Sequence, residues 1–208
     1  MTATTLYRAM CDFEPRPTPT RDHREVLANQ SATIGPHRHH HPRYDRMVFA
    51  MAVPEVIPIA YAPHGRTEAI GCYEDGQFMG SVTYAFPKGF ELGPGWEEQK
   101  RLYAVLHTFD PDGTYRDSEI WCAGTWAEQQ REPDGPDSVL SRARVHLATR
   151  LRGLPRRTYT DIAVRPFQLT VDNVLFGLVT GEDDGEGWAE LYPDHLGFGE
   201  PWDGSYDT

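Results

Sequence analysis

Three short polar breaks, Asp75-Gly76, Asp110-Pro111-Asp112-Gly113 and Asp172-Asn173, each separate two apolar stretches of strand character. Links this short join only antiparallel neighbours, because a crossover between parallel strands takes about a dozen residues or more. A doubly wound parallel sheet is thereby excluded. The chain has to fold as strands that reverse on themselves.

Two of the breaks predict a register. In "EAIGCYEDGQFMGSVTYAF" an Asp75-Gly76 tip tolerates the positive φ of a type I′ turn, which sets Tyr73 opposite Phe78 and Cys72 opposite Met79. In "AVRPFQLTVDNVLFGLVTG" a symmetric turn at Asp172-Asn173 pairs Val171 with Val174, Leu169 with Phe176 and Phe167 with Leu178, all on one face. The strand before Asp110 is apolar on both sides, with Leu102, Ala104 and Leu106 on one and Tyr103, Val105 and Phe109 on the other. That pattern suits a central strand covered twice. "WAELY" reads as a last strand, "GEDDGEG" as a solvated loop and "PDHLGFGEPWDGSYDT" as an irregular tail.

One segment has the period of a long helix. In "DSVLSRARVHLATRLRGLPRR", Leu140, Ala143, Leu147, Leu151 and Leu154 form a single stripe. Asp137 or Ser138 supplies the N-cap, and Gly153, relaxing to left-handed φ, with Pro155 supplies the stop. The expected fold is α+β: a mostly antiparallel β-meander of about six to eight strands with one long helix packed on it.

Residues 1–46 carry no such period. They read as a flexible Pro/His/Arg-rich N-terminal extension, with His37, His39, His40 and His41 as a solvated tract and not a metal site, because nothing around them fixes a closed shell. Residues 47–208 read as a single α+β domain with an acidic, aromatic C-terminal tail, and Met47 or Met51 is the expected functional start.

Charge narrows the partners. Of the net −11, residues 1–50 carry +2, with seven Arg against five acids, leaving −13 for the remainder; from Glu182 onward nine acids meet no Lys or Arg. Such a surface repels phosphate backbones and attracts basic proteins. No apolar run approaches the roughly 20 residues that span a bilayer, and the N-terminus lacks the apolar core of a secretion signal. Cys11, Cys72 and Cys122 are odd in number and far apart, as expected of reduced thiols in the cytoplasm.

Motifs for chemistry are incomplete. Asp110 to Gly113 open like a calcium loop, but the glycine comes fourth and Glu119 falls tenth, so a hairpin turn explains them. The acids in "EDDGE" read as solvated. Neither GxGxxG nor GxxxxGK[ST] occurs, so no cofactor is expected. A nucleophile would have to be Cys122 or Cys72 served by His107, and all three lie in apolar strands where packing is the favoured role. The arginines of the helix, Arg142 to Arg157, are expected to meet the chain's own acids. Trp188, Glu190 and Tyr192, then Trp202, Asp203 and Tyr206, alternate rings with acids and form a candidate partner surface; the area each ring buries favours the other role, stapling the tail to the sheet.

The segments "GSVTYAFPKGF", "WEEQKRLYAVLHTFDPDGTYRDSEIWCAGTW" and "EPWDGSYDT" resemble a family of functionally uncharacterised small bacterial cytosolic proteins, some labelled formate hydrogenlyase regulatory protein. The resemblance runs from about Met51 to Thr208; it implies regulation and supplies no catalytic residues. The expected function is therefore a non-catalytic cytosolic protein that binds another protein, with a basic partner favoured by charge. The alternatives are an immunity-type inhibitor of a basic toxin and a small cysteine-dependent enzyme.

Overall fold

The computed structural model describes residues 52–183 and 185–208. The histidine tract, the extension over residues 1–46 and the two candidate start methionines lie outside the described residues.

Among the described residues, eleven strands and three helices follow in order: β1 (Ile57–Ile59), β2 (Ile70–Tyr73), β3 (Gly76–Ala85), α1 (Trp96–Gln99), β4 (Arg101–Phe109), β5 (Tyr115–Thr125), α2 (Trp126–Arg131), α3 (Val139–Arg152), β6 (Thr158–Tyr159), β7 (Ile162–Val164), β8 (Phe167–Val171), β9 (Val174–Asp183), β10 (Glu186–Tyr192) and β11 (Leu196–Phe198). The fold is α+β and every strand pair is antiparallel. The strands exceed the six to eight expected, because β1, β6, β7 and β11 are too short to show a period. The meander is also split, into a sheet of order β5-β4-β3-β2-β6 and a sheet of order β11-β10-β9-β8, with β1 and β7 paired apart.

Strand β4 lies inside its sheet, between β5 and β3, and is covered on both faces. Leu102, Ala104 and Leu106 pack with Phe78 and with Val139, Ala143, Leu147 and Leu151 of α3. Its opposite side faces the second sheet, where Tyr103 and Val105 meet Val174 and Phe176, and Phe109 meets Leu178 and Leu191. The outcome is three layers, helix on sheet on sheet, with both sides of β4 buried as its sequence requires.

Helix α3 keeps its predicted stripe and the Ser138 cap, whose Oγ accepts from the Ser141 amide at 3.3 Å. Its end differs from expectation. Gly153 stays right-handed at φ −72°, and the last turn tightens instead, with the Gly153 and Leu154 amides bonded to the Arg150 and Leu151 carbonyls.

The hairpin at Asp172-Asn173 has the predicted register, with φ of 51° and 62° at the two tip residues. The first hairpin does not. Its tip is Glu74-Asp75, Tyr73 pairs with Gly76, and Cys72 pairs with Gln77. Gly76 is needed for close approach and not for φ: a Cβ there would stand 1.9 Å from the Phe109 carbonyl oxygen. Distant residues hold the shifted tip, since Arg116 donates to the Asp75 carbonyl at 3.1 Å and the Glu74 amide donates to the Pro155 carbonyl at 3.0 Å. A two-residue slip leaves each side chain on its original face, so the layers are unaffected.

Two further segments differ from expectation. "GEDDGEG" is not a free loop: β9 runs to Asp183 and β10 starts at Glu186, which pair across the tip. The tail is not irregular throughout, because Leu196–Phe198 forms β11 and Phe198 is buried.

Candidate functional site

Strand β10 places alternate residues on opposite sides. Ala189 and Leu191 enter the core, so Trp188, Glu190 and Tyr192 share the outward side. Trp188 is 37% exposed and lies over Gly181, its cross-strand partner. A Cβ at Gly181 would come 2.4 Å from Trp188 Cζ2, so the glycine gives the indole its seat.

Glu190 is fixed by two neighbours. The Tyr192 hydroxyl donates to its Oε2 at 2.6 Å, and His195 Nδ1 lies 2.6 Å from its Oε1. Partial burial would raise the Glu190 carboxyl, but the hydrogen bonds from Tyr192 and His195 outweigh it and hold the group below the usual carboxylate range. The same bond pushes the Tyr192 phenol up. A carboxylate held this way stays ionised and pre-oriented beside an exposed ring.

The other proposed contact residues lie elsewhere. Trp202 and Tyr206 pack against the cluster containing Ala189 and Leu191, on the opposite side of β10 from Trp188. The Tyr206 hydroxyl accepts from the Arg66 amide at 2.9 Å, and Asp203 caps a turn through the Ser205 amide. The six residues therefore form two groups: an outward row on β10, and a tail whose rings staple it to the core.

The turn after β10 also sends one carboxylate inward, which the sequence does not reveal. The Asp194 side chain is 8% exposed and meets Arg66 Nη1 at 3.3 Å. Burial raises its pKa, while the Thr83 hydroxyl, the Arg66 charge and the Ser81 hydroxyl oppose the rise. Asp194, Ser81 and His107 line a cavity of about 10 Å³. That is room for one water molecule, against the roughly 300 Å³ or more of ligand sites. His107 is buried, its pKa is lowered to about 3 by that burial, and Nδ1 sits 2.5 Å from Ser118 Oγ. This is a packed polar network around a neutral imidazole.

The register keeps both thiols from His107. Cys122 pairs with Tyr103, four residues along β4 from His107, a separation of about 13 Å. Cys72 pairs with Gln77, which pairs with Phe109, so two strand spacings, about 10 Å, intervene. The Cys122 thiol is pushed up by burial. The cysteine dyad envisaged from sequence is not assembled.

The helix arginines are engaged within the chain. Arg150 pairs with Glu119, as does His146 at 2.9 Å; Arg156 pairs with Glu74 at 2.6 Å, and Arg142 donates to the Ala123 carbonyl at 2.9 Å. Asp112 accepts from the Thr114 amide inside the Asp110–Gly113 turn. Among the described residues, no three His, Cys, Asp or Glu side chains are grouped to hold a metal ion, and no helix is long and apolar enough to cross a membrane.

No family model, curated protein or solved structure matches the chain.

Proposed function

We propose that this chain is a cytoplasmic protein-binding protein that regulates its partner by contact, using the outward side of β10. The observation that carries the reading is the pairing of exposed Trp188, seated on Gly181, with Glu190, held by Tyr192 and His195. A rigid ring and a pre-oriented carboxylate lose little freedom on binding, which is the property of an interface anchor. The partner is basic. An arginine could stack on Trp188 and pair with Glu190, and the nine acids from Glu182 onward would steer it there. The resemblance to proteins labelled as regulators supports a regulatory role.

The acid run also favours a narrower second reading, an immunity-type inhibitor of a basic toxin, where steering speeds capture. A toxin gene beside this one distinguishes the two.

The test uses the full chain as bait. The wild-type protein should retain a basic partner at low salt and release it as salt rises. Trp188→Ala should lose it, and Glu190→Gln should bind it about tenfold more weakly, a cost in line with one charge-assisted bond. Equal retention by wild type and Trp188→Ala, or retention indifferent to salt, would overturn the assignment.

A further inference from the structure

A second feature lies at the other end of β4, away from the β10 row. Lys100, one of two lysines in the chain, closes α1 with its amide bonded to the Trp96 carbonyl at 3.0 Å, and its own carbonyl accepts from the Trp126 amide at 2.7 Å. The backbone thus ties both tryptophans to the lysine between them. The ammonium then sits among four rings: 4.8 Å from the Trp126 centroid, 5.2 Å from Tyr84, 5.8 Å from Trp96 and 5.9 Å from Phe86. The walls brace one another. Trp126 stands edge-on to Tyr84 at 5.2 Å and near-parallel to Trp96 at 6.4 Å, and Phe86 is backed by Phe90 at 4.3 Å.

Two features define what this box selects. In a chain of net charge −11, the Lys100 ammonium pairs with no carboxylate among the described residues and is held by ring faces alone. Ring faces attract a cation through their quadrupoles but satisfy N–H donors poorly. A primary ammonium, strongly hydrated and carrying three donors, is therefore an imperfect occupant. A quaternary ammonium has the same charge, no donors and a weaker hold on water. Walls on several sides suit a tetrahedral cation, whereas a planar guanidinium would stack on one ring. At the rim, Glu98 reaches Thr125 Oγ1 at 3.5 Å, which puts a carboxylate beside Trp126 and disfavours anions.

We propose that the Tyr84–Phe86–Trp96–Trp126 box is a binding site for quaternary ammonium groups, and that Lys100 is a tethered occupant which such a ligand displaces. The flexible four-carbon stem of Lys100 can swing out while its backbone stays bonded to both tryptophans. Tethering gives the lysine a local concentration on the order of millimolar, so it competes with any free cation.

Choline is the probe, with 3,3-dimethylbutan-1-ol as its uncharged isostere, and tryptophan emission of the full chain is the signal. Lys100→Ala should bind choline saturably and about tenfold or more tighter than wild type, because its tethered competitor is gone. The isostere should bind Lys100→Ala about tenfold more weakly than choline, and Trp126→Ala in that background should abolish the response. The wild-type protein gives an independent readout that needs no variant to fold. Choline should raise the acetylation rate of Lys100 relative to Lys88, measured by peptide mass spectrometry, and sodium chloride at the same strength should not. Equal binding of choline and its isostere would make the box merely apolar and overturn the proposal. So would a Lys100 acetylation rate unchanged by choline. Loss of partner capture in Trp188→Ala with choline binding intact would separate this site from the β10 surface.

Discussion

One buried side chain makes the protein's stability sensitive to mild acid. The His107 pKa falls from 6.5 to about 3 because burial in the folded protein strips the ring of the water that would stabilise its charged form. The unfolded chain therefore takes up a proton near pH 6.5 that the folded chain refuses, and stability is lost as pH falls through that region. From pH 7 to pH 5 the loss from this one group is about 2 kcal/mol. Most of that window lies above the range where carboxylates titrate. Urea unfolding at the two pH values should show the loss in wild type, and His107→Gln should flatten it even though its absolute stability is lower. Cys122 gives a second residue-scale prediction. It is exposed, but its thiol is pushed up by partial burial, so at pH 7 iodoacetamide should modify it more slowly than a free cysteine, read out by peptide mapping. Rapid alkylation would restore the enzymatic reading. The sequence already placed His107 in the interior, because alternation with Val105 and Phe109 is a local signal. Asp194 gave no such signal: its burial arises only when the turn after β10 docks on Ser81 and Thr83, more than a hundred residues earlier.

Secondary-structure elements were legible where their determinants are local. The β8–β9 register follows from six apolar side chains and two turn residues, and the two hydrogen bonds between Asn173 and Lys88 at the tip leave it unchanged. Asp172→Gly should leave stability within about 0.5 kcal/mol, whereas Asp172→Val, forcing a β-branched residue to a φ of 51°, should cost about 1–2 kcal/mol in thermal or urea unfolding. The first hairpin was misread because its tip is fixed from outside, by Arg116 and Pro155. Helix α3 was legible because its stripe is long. Leu147, 9% exposed, meets the bare backbone of Gly80 at 3.0 Å from where a Cβ would stand, so the helix approaches the sheet closely there. Leu147→Ala should cost about 3 kcal/mol by leaving a cavity that rigid β3 cannot close, whereas exposed Val145→Ala should be near neutral.

At the scale of the whole molecule, the sequence showed two covered faces on β4 but not that one meander would supply both the middle layer and the outer one. Sheet pairing across layers has no period, so it escapes any reading of strands one at a time. The same holds for the aromatic box, whose rings come from β3, the loop after it, α1 and α2. The C-terminal tail tests the layered arrangement directly. The Gly204 carbonyl accepts from the Ala60 amide at 2.9 Å, Gly197 and Asp207 form a β-bridge, and Trp202 and Tyr206 pack on the core formed by Ile57, Ile59 and Phe198. If the tail is a staple, removing residues 199–208 strips two rings and several backbone bonds from that core. The unfolding free energy should fall by about 3 kcal/mol or more, and the truncated protein should bind an apolar dye that the intact one excludes. Tyr206→Phe keeps the ring but removes the oxygen that accepts from the Arg66 amide, so it should cost only about 1 kcal/mol. A tail serving as a free arm for a partner would give the reverse pattern, with truncation leaving the unfolding midpoint unchanged and abolishing capture. The Trp202 and Tyr206 contacts favour the staple, which leaves the outward row of β10 to meet the partner.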